Sequence, residues 1–164
     1  MSITTYAAAW FFPFVLPICF YVVYTDISRM KITNKANLAL AGVFVVIGLI
    51  ALPFDAYLWR LAAMVLVLIA GIVLNAVGAM GAGDSKFIAA AAPFIAVGDL
   101  NMLLWLFMAT LLAAFVTHRA IKYSPLRRLA PEWTSWDQGK KFPMGLALGT
   151  TLSIYLGLGL LYGA

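Results

Sequence analysis

Six apolar runs separated by short polar connections occupy most of this chain and leave it few ways to fold. About 20 helical residues cross the ~30 Å hydrocarbon core of a bilayer. Tyr6–Tyr24, Ala36–Leu52, Arg60–Gly78, Met102–Thr117 and Phe142–Tyr162 approach that length, whereas Phe87–Val97 is shorter and carries Pro93. Backbone groups in hydrocarbon must be satisfied within the segment, so runs of this kind read as helices. Thr33-Asn34 reads as a cap for the second helix and Pro53 as its stop. The fourth helix spans if it extends back through Gly83–Lys86, and Gly98-Asp99-Leu100-Asn101 is the turn after it. The chain is 65% hydrophobic and 10% charged, against about 45–50% and 25% in soluble domains. No polar stretch is long enough for a separate soluble domain. The expected fold is an all-α integral membrane protein, one domain over residues 1–164 built as a bundle of six transmembrane helices.

Orientation follows from the basic residues, which collect on the cytoplasmic side of membrane proteins. Arg29, Lys31 and Lys35 follow the first span, Lys86 the third, and Arg119, Lys122, Arg127, Arg128, Lys140 and Lys141 the fifth. Arg60 is the remaining one and falls on the other side. The odd-numbered connections are therefore expected in the cytoplasm and both termini on the periplasmic side. No positive charge precedes the first run, so it reads as a retained helix rather than a cleaved signal. The net charge of +5 reads as membrane orientation and contact with lipid, not as nucleic-acid binding.

Topology then sorts the acids. Asp26 ends the first span and Asp84 begins the fourth, so both are expected at the same depth on the cytoplasmic side. Asp55 and Asp99 fall on the outer side, and Glu132 and Asp137 in the long cytoplasmic loop. A carboxylate near a bilayer is costly, on the order of 2.5–3.5 kcal/mol, which points to a function. Two carboxylates brought together cannot both ionise easily, and such a pair can hold and activate a water as an aspartic protease does. The plain alternative makes each a helix-end residue, with Asp84 as an N-cap.

Their neighbours carry more. Asp26 opens Asp26-Ile27-Ser28-Arg29-Met30-Lys31-Ile32-Thr33-Asn34, and Asp84 closes Gly81-Ala82-Gly83-Asp84, with Lys86 two residues on. These resemble the type IV prepilin peptidase family, membrane aspartic endopeptidases of the Gly-x-Gly-Asp kind. The family's first pattern is Asp, five residues, then Ile-Pro-Asn; here Ile32 and Asn34 match and Thr33 replaces the proline. The second, Gly-x-Gly-Asp-x-Lys, matches throughout. Phe142-Pro143-Met144-Gly145 is similar to the Pro-Phe-Gly opening of the family's last helix.

The resemblance implies a peptidase of the bacterial cytoplasmic membrane that removes a short basic leader from prepilins, with Asp26 and Asp84 catalytic and Gly81, Gly83, Lys86 and Asn34 around them. Longer members carry a cytoplasmic insertion with Cys-x-x-Cys motifs linked to N-methylation. With Cys19 as its one cysteine, this chain is similar to the minimal peptidase-only form serving tight-adherence (Flp-type) pili, or to the archaeal preflagellin peptidases. No cofactor and no metal are expected. A small multi-pass transporter and a non-catalytic pilus assembly subunit are the alternatives from other classes.

The supporting residues read two ways. Gly81 and Gly83 would let an extended substrate approach, or would simply make a turn. Lys86 would balance charge or meet a substrate acid, or would snorkel to headgroups. As the helix-start residue, Asp84 is favoured as the ionised partner. Gly145, Gly149, Ser153 and Gly157 form a small-residue stripe for close helix packing, within the chain or between copies. Asn75 is expected to hydrogen-bond inside the bundle, His118 to sit at the membrane interface, and Arg119–Lys141 to lie on the anionic leaflet.

Overall fold

The computed structural model describes residues 1–139 and 141–164; Lys140, counted above among the loop's basic residues, lies outside them. Six helices follow one another: α1 (Thr5–Arg29), α2 (Asn34–Ala51), α3 (Phe54–Ala76), α4 (Ala82–Ala91), α5 (Leu100–Lys122) and α6 (Met144–Tyr162), and among the described residues there is no strand. Five are long and apolar enough to cross a membrane, and α4 is not. The protein is thus an all-helical, multi-pass membrane protein.

The helix ends follow local chemistry. The Thr4 hydroxyl accepts the Ala7 N–H at 3.1 Å, and the Thr33 hydroxyl accepts the Ala36 N–H at 3.2 Å, each satisfying a donor that the first turn leaves over. Thr33, standing where the family pattern has proline, is the cap of α2. α1 stops where Met30 turns left-handed at φ 52°. Pro53 separates α2 from α3, and α3 begins at Phe54, six residues before the expected Arg60.

The bundle is organised about α1 and α6. Added as a side-chain carbon, a Cβ at Gly149 would lie 3.1 Å from the Cys19 carbonyl oxygen and 3.0 Å from Val23 Cγ2. The glycine stripe of α6 therefore lets two backbones meet within this chain, as small residues do between membrane helices. Around it Phe11, Phe44, Phe94 and Tyr57 interlock, with Phe11 edge-on to Phe94 at 4.9 Å and Phe44 stacked on Tyr57 at 5.5 Å. α3 and α5 turn residues such as Leu66 and Trp105 outward, where lipid is as apolar as a protein core.

The fourth segment departs most from a regular span. α4 has ten residues, about 15 Å at 1.5 Å each, and a 3-10 turn at Ala92–Phe94 and another at Val97–Asp99 complete it. Its first residues touch the start of α2, and its last reach Ser2 and Ile3. The segment therefore runs the length of the bundle. Irregular backbone survives at such depth where protein satisfies it. Arg60 Nη1 donates to the Pro93 and Phe94 carbonyls at 3.2 and 3.3 Å, and the Ala96 N–H donates to the Tyr155 hydroxyl at 3.0 Å. That hydroxyl donates to Asp99 Oδ2 at 2.9 Å, while Asp99 also accepts the Ser2 and Ile3 N–H groups at 2.6 and 2.9 Å.

Three expectations are corrected here. Asp99 is a buried keystone at the end of the fourth segment, not a plain turn residue, and Arg60 lies inside α3 as a clamp. Asn75 also differs: it is exposed, and its amide donates to the Met80 carbonyl at 2.8 Å, closing its own turn. His118 is buried, stacked on Trp136 at 4.9 Å and edge-on to Phe142, so the loop folds inward there. The rest of that loop carries an exposed Arg127–Asp137 ion pair at 2.6 Å.

Candidate active site

At the bundle end opposite Asp99, four helix termini enclose a cavity of about 410 Å³ lined by Asp26, Asn34, Gly81, Asp84, Lys86 and Phe142, among others. Asp26 comes from the last turn of α1 and is buried; Asp84 comes from the first turn of α4 and is half-buried. Residues far apart in sequence thus share one space because α1 ends where α4 and α6 begin.

Asp26 is held by α6. Its Oδ2 accepts the Gly145 N–H at 2.6 Å, one of the amides that the first turn of α6 leaves without an intrahelical partner. A carboxylate gains there from both the hydrogen bond and the positive end of the helix dipole. A Cβ at Gly145 would fall 2.9 Å from both Asp26 Cβ and Oδ2, so this position has room for glycine and little else. The stripe reading had assigned Gly145 to packing alone. The signal in the sequence was the Phe142–Gly145 opening of the last helix.

Asp84 stands third in α4, and Gly81, not Asp84, is the residue at the cap position. Both aspartates therefore face helix N-termini, Asp84 that of its own helix and Asp26 that of α6, which removes helix position as a reason to favour Asp84 as the ionised one. The two glycines have separate contacts. A Cβ at Gly81 would strike Asp84 Oδ2 at 2.6 Å, and one at Gly83 would press Ile32 Cβ at 3.3 Å. Gly83 lets α4 lie against Ile32 of the α1–α2 connection, and the Asn37 amide of α2 donates to its carbonyl at 3.5 Å.

Lys86 and Asn34 form a pair at the cavity mouth, with the ammonium donating to Asn34 Oδ1 at 3.0 Å. The lysine thus ties α4 to α2. Met30, Lys31 and Met144 also line the wall, a role the sequence did not assign to them. Among the described residues no group of three or more His, Cys, Asp or Glu side chains gathers as a metal site would.

The model of the type IV leader peptidase family matches residues 13–118, well over half of the chain, and takes in both aspartates. The chain belongs to that family. It is accordingly a membrane-embedded protease. Phe142, Met144 and Gly145, which close the site from the start of α6 and the residues just before it, lie beyond the matched stretch. No curated protein and no solved structure gives a significant match.

Proposed function

We propose that this type IV leader peptidase is an aspartic endopeptidase whose catalytic pair is Asp26 and Asp84. It cuts the short basic leader from prepilins at the cytoplasmic face of the bacterial inner membrane. The observation that carries the reading is the shared cavity: two carboxylates from separate helices line one space at one end of the bundle. One member of the pair keeps a proton and the other is ionised, with a water held between them. The ionised carboxylate takes a proton from the water as it attacks the scissile carbonyl. The protonated one donates to the carbonyl oxygen, and the leaving nitrogen is protonated as the bond breaks. The two titrate as a pair.

The Gly145 amide positions Asp26 without spending it, because the bond uses Oδ2 and leaves Oδ1 for chemistry. Six crossings with both termini outside put this end of the bundle at the cytoplasmic face, where a basic leader would wait. The absence of a cysteine-bearing insertion supports the peptidase-only form and Flp-type pilin substrates, with no N-methyltransferase activity.

The test is Asp26→Asn and Asp84→Asn, each assayed for cleavage of a cognate prepilin. Asparagine keeps the shape and removes the ionisable proton. Each variant inserts into the membrane and leaves the precursor uncut; wild-type cleavage by either one sinks the assignment.

A further inference from the structure

A second hollow lies one helical turn from the catalytic cavity. It has a volume of about 380 Å³ and an almost wholly apolar lining, with Ala63, Phe87, Ala91, Leu104, Phe107 and Leu148 among its walls. Its origin is the shortness of α4. Where a full-length helix would fill the layer between α3 and α5, small Ala91 and Ala92 and the bend at Pro93 leave a slot open to the lipid side past the exposed Leu100 and Leu104.

The slot and the catalytic cavity share no lining residue, but their walls adjoin along two helices. On α4, Lys86 lines the cavity and Phe87 the slot; on α6, Met144 lines the cavity and Leu148 the slot. One turn of helix advances 5.4 Å. A polypeptide whose scissile bond sits between Asp26 and Asp84, and whose next residues are helical and apolar, meets the slot within its first turn. From there the walls continue to Val97 and Leu100 at the far end.

We infer that this slot between α3, α4, α5 and α6 seats one face of the substrate's apolar helix, the part that remains in the membrane after the leader is cut. The inference rests on the proposed peptidase reading and deepens it. The dyad makes the cut, and the slot fixes which bond reaches the dyad by holding the helix in register. In lipid the gain comes from packing between surfaces, not from leaving water. Recognition therefore depends on the depth of the slot, and large side chains in its floor defeat it.

The experiment uses the full-length protein in liposomes and a model precursor: a short basic leader ending in glycine, followed by an apolar helix of about 20 residues. A photoreactive residue replaces Leu104 in the Asp84→Asn background, so substrate stays uncut. Crosslinks to the precursor's apolar helix are expected, with the photoproduct moving along that helix as the probe is moved from Leu104 to Leu100. In the active enzyme, Ala63→Trp narrows the slot and raises KM for the precursor at least about tenfold, with kcat changed far less. Leu66→Trp, on the lipid-facing side of the same helix, cleaves as wild type and controls for insertion. Crosslinks to lipid acyl chains alone overturn the inference, as does an unchanged KM in Ala63→Trp that is correctly inserted. Activity in both aspartate variants would instead overturn the dyad, and the crosslink would still report on the slot.

Discussion

Replacing Gly145 by alanine separates positioning of the proposed catalytic carboxylate of Asp26 from its chemistry. The new methyl carbon would sit 2.9 Å from Asp26 Cβ and Oδ2, and the carboxylate must back away from the amide it now meets at 2.6 Å. A hydrogen bond to a charged group contributes about 1.5–3 kcal/mol. If that support is lost where the carboxylate acts, each 1.36 kcal/mol is tenfold in rate, so cleavage slows by roughly 10- to 150-fold. The assay is steady-state cleavage of purified prepilin in liposomes, with kcat and KM separated. The fall is expected in kcat, because the precursor still docks. Gly157→Ala is the matched control: same helix, same substitution, nearest neighbour at an ordinary 3.6 Å. Thermal unfolding of both variants shows whether the bundle survives. A Gly145→Ala enzyme that is folded and within about twofold of wild type would refute the idea that α6 positions Asp26.

Asp99→Ala removes the acceptor of three hydrogen bonds at the far end of the bundle, so stability falls by on the order of 3 kcal/mol in thermal or denaturant unfolding. Tyr155→Phe strands the Ala96 N–H and costs about 1–3 kcal/mol by the same measure. Cysteine labelling of single-cysteine variants places residues 29–35 and 124–139 in the cytoplasm and residues 53–58 with both termini outside; a cytoplasmic C-terminus contradicts the six crossings. Cleavage persists in EDTA, leaves an unmethylated amino terminus by mass spectrometry, and fails at acidic pH once both members of the pair are protonated. Activity lost on chelation and restored by zinc or magnesium would refute the water-activation mechanism.

Hydropathy located the helices because avoidance of water is written locally, run by run. It did not show how a buried polar group finds its partner, because that is settled between residues far apart in sequence. Asp99 read as a loop acid because nothing near it marks the Ser2 and Ile3 amides as donors. Arg60 read as an orientation signal, although its long stem lets the guanidinium reach the Pro93 and Phe94 carbonyls, left over where the 3-10 turn ends at Ile95. The aspartates were legible from their motifs, as was Thr33 as a cap. The role of Gly145 was hidden because a packing glycine and a carboxylate-seating glycine look alike until the residue opposite is known. The partners of His118 were hidden for a related reason: Trp136 and Phe142 lie in a polar loop whose inward fold has no periodicity to betray it.

The bond between Asp26 and Gly145 also sets a clock. Its two halves are 119 residues apart, so the ribosome delivers the second roughly 6–24 s after the first, at about 5–20 residues per second. Until then α1 waits in the bilayer with its carboxylate unseated and no helix against its glycine-matched face. A chain stopped between α4 and α6 holds both aspartates and every residue of the Gly-x-Gly-Asp motif, yet lacks the amide that holds Asp26. On the proposed reading, the seat of the Asp26 carboxylate arrives with the last helix.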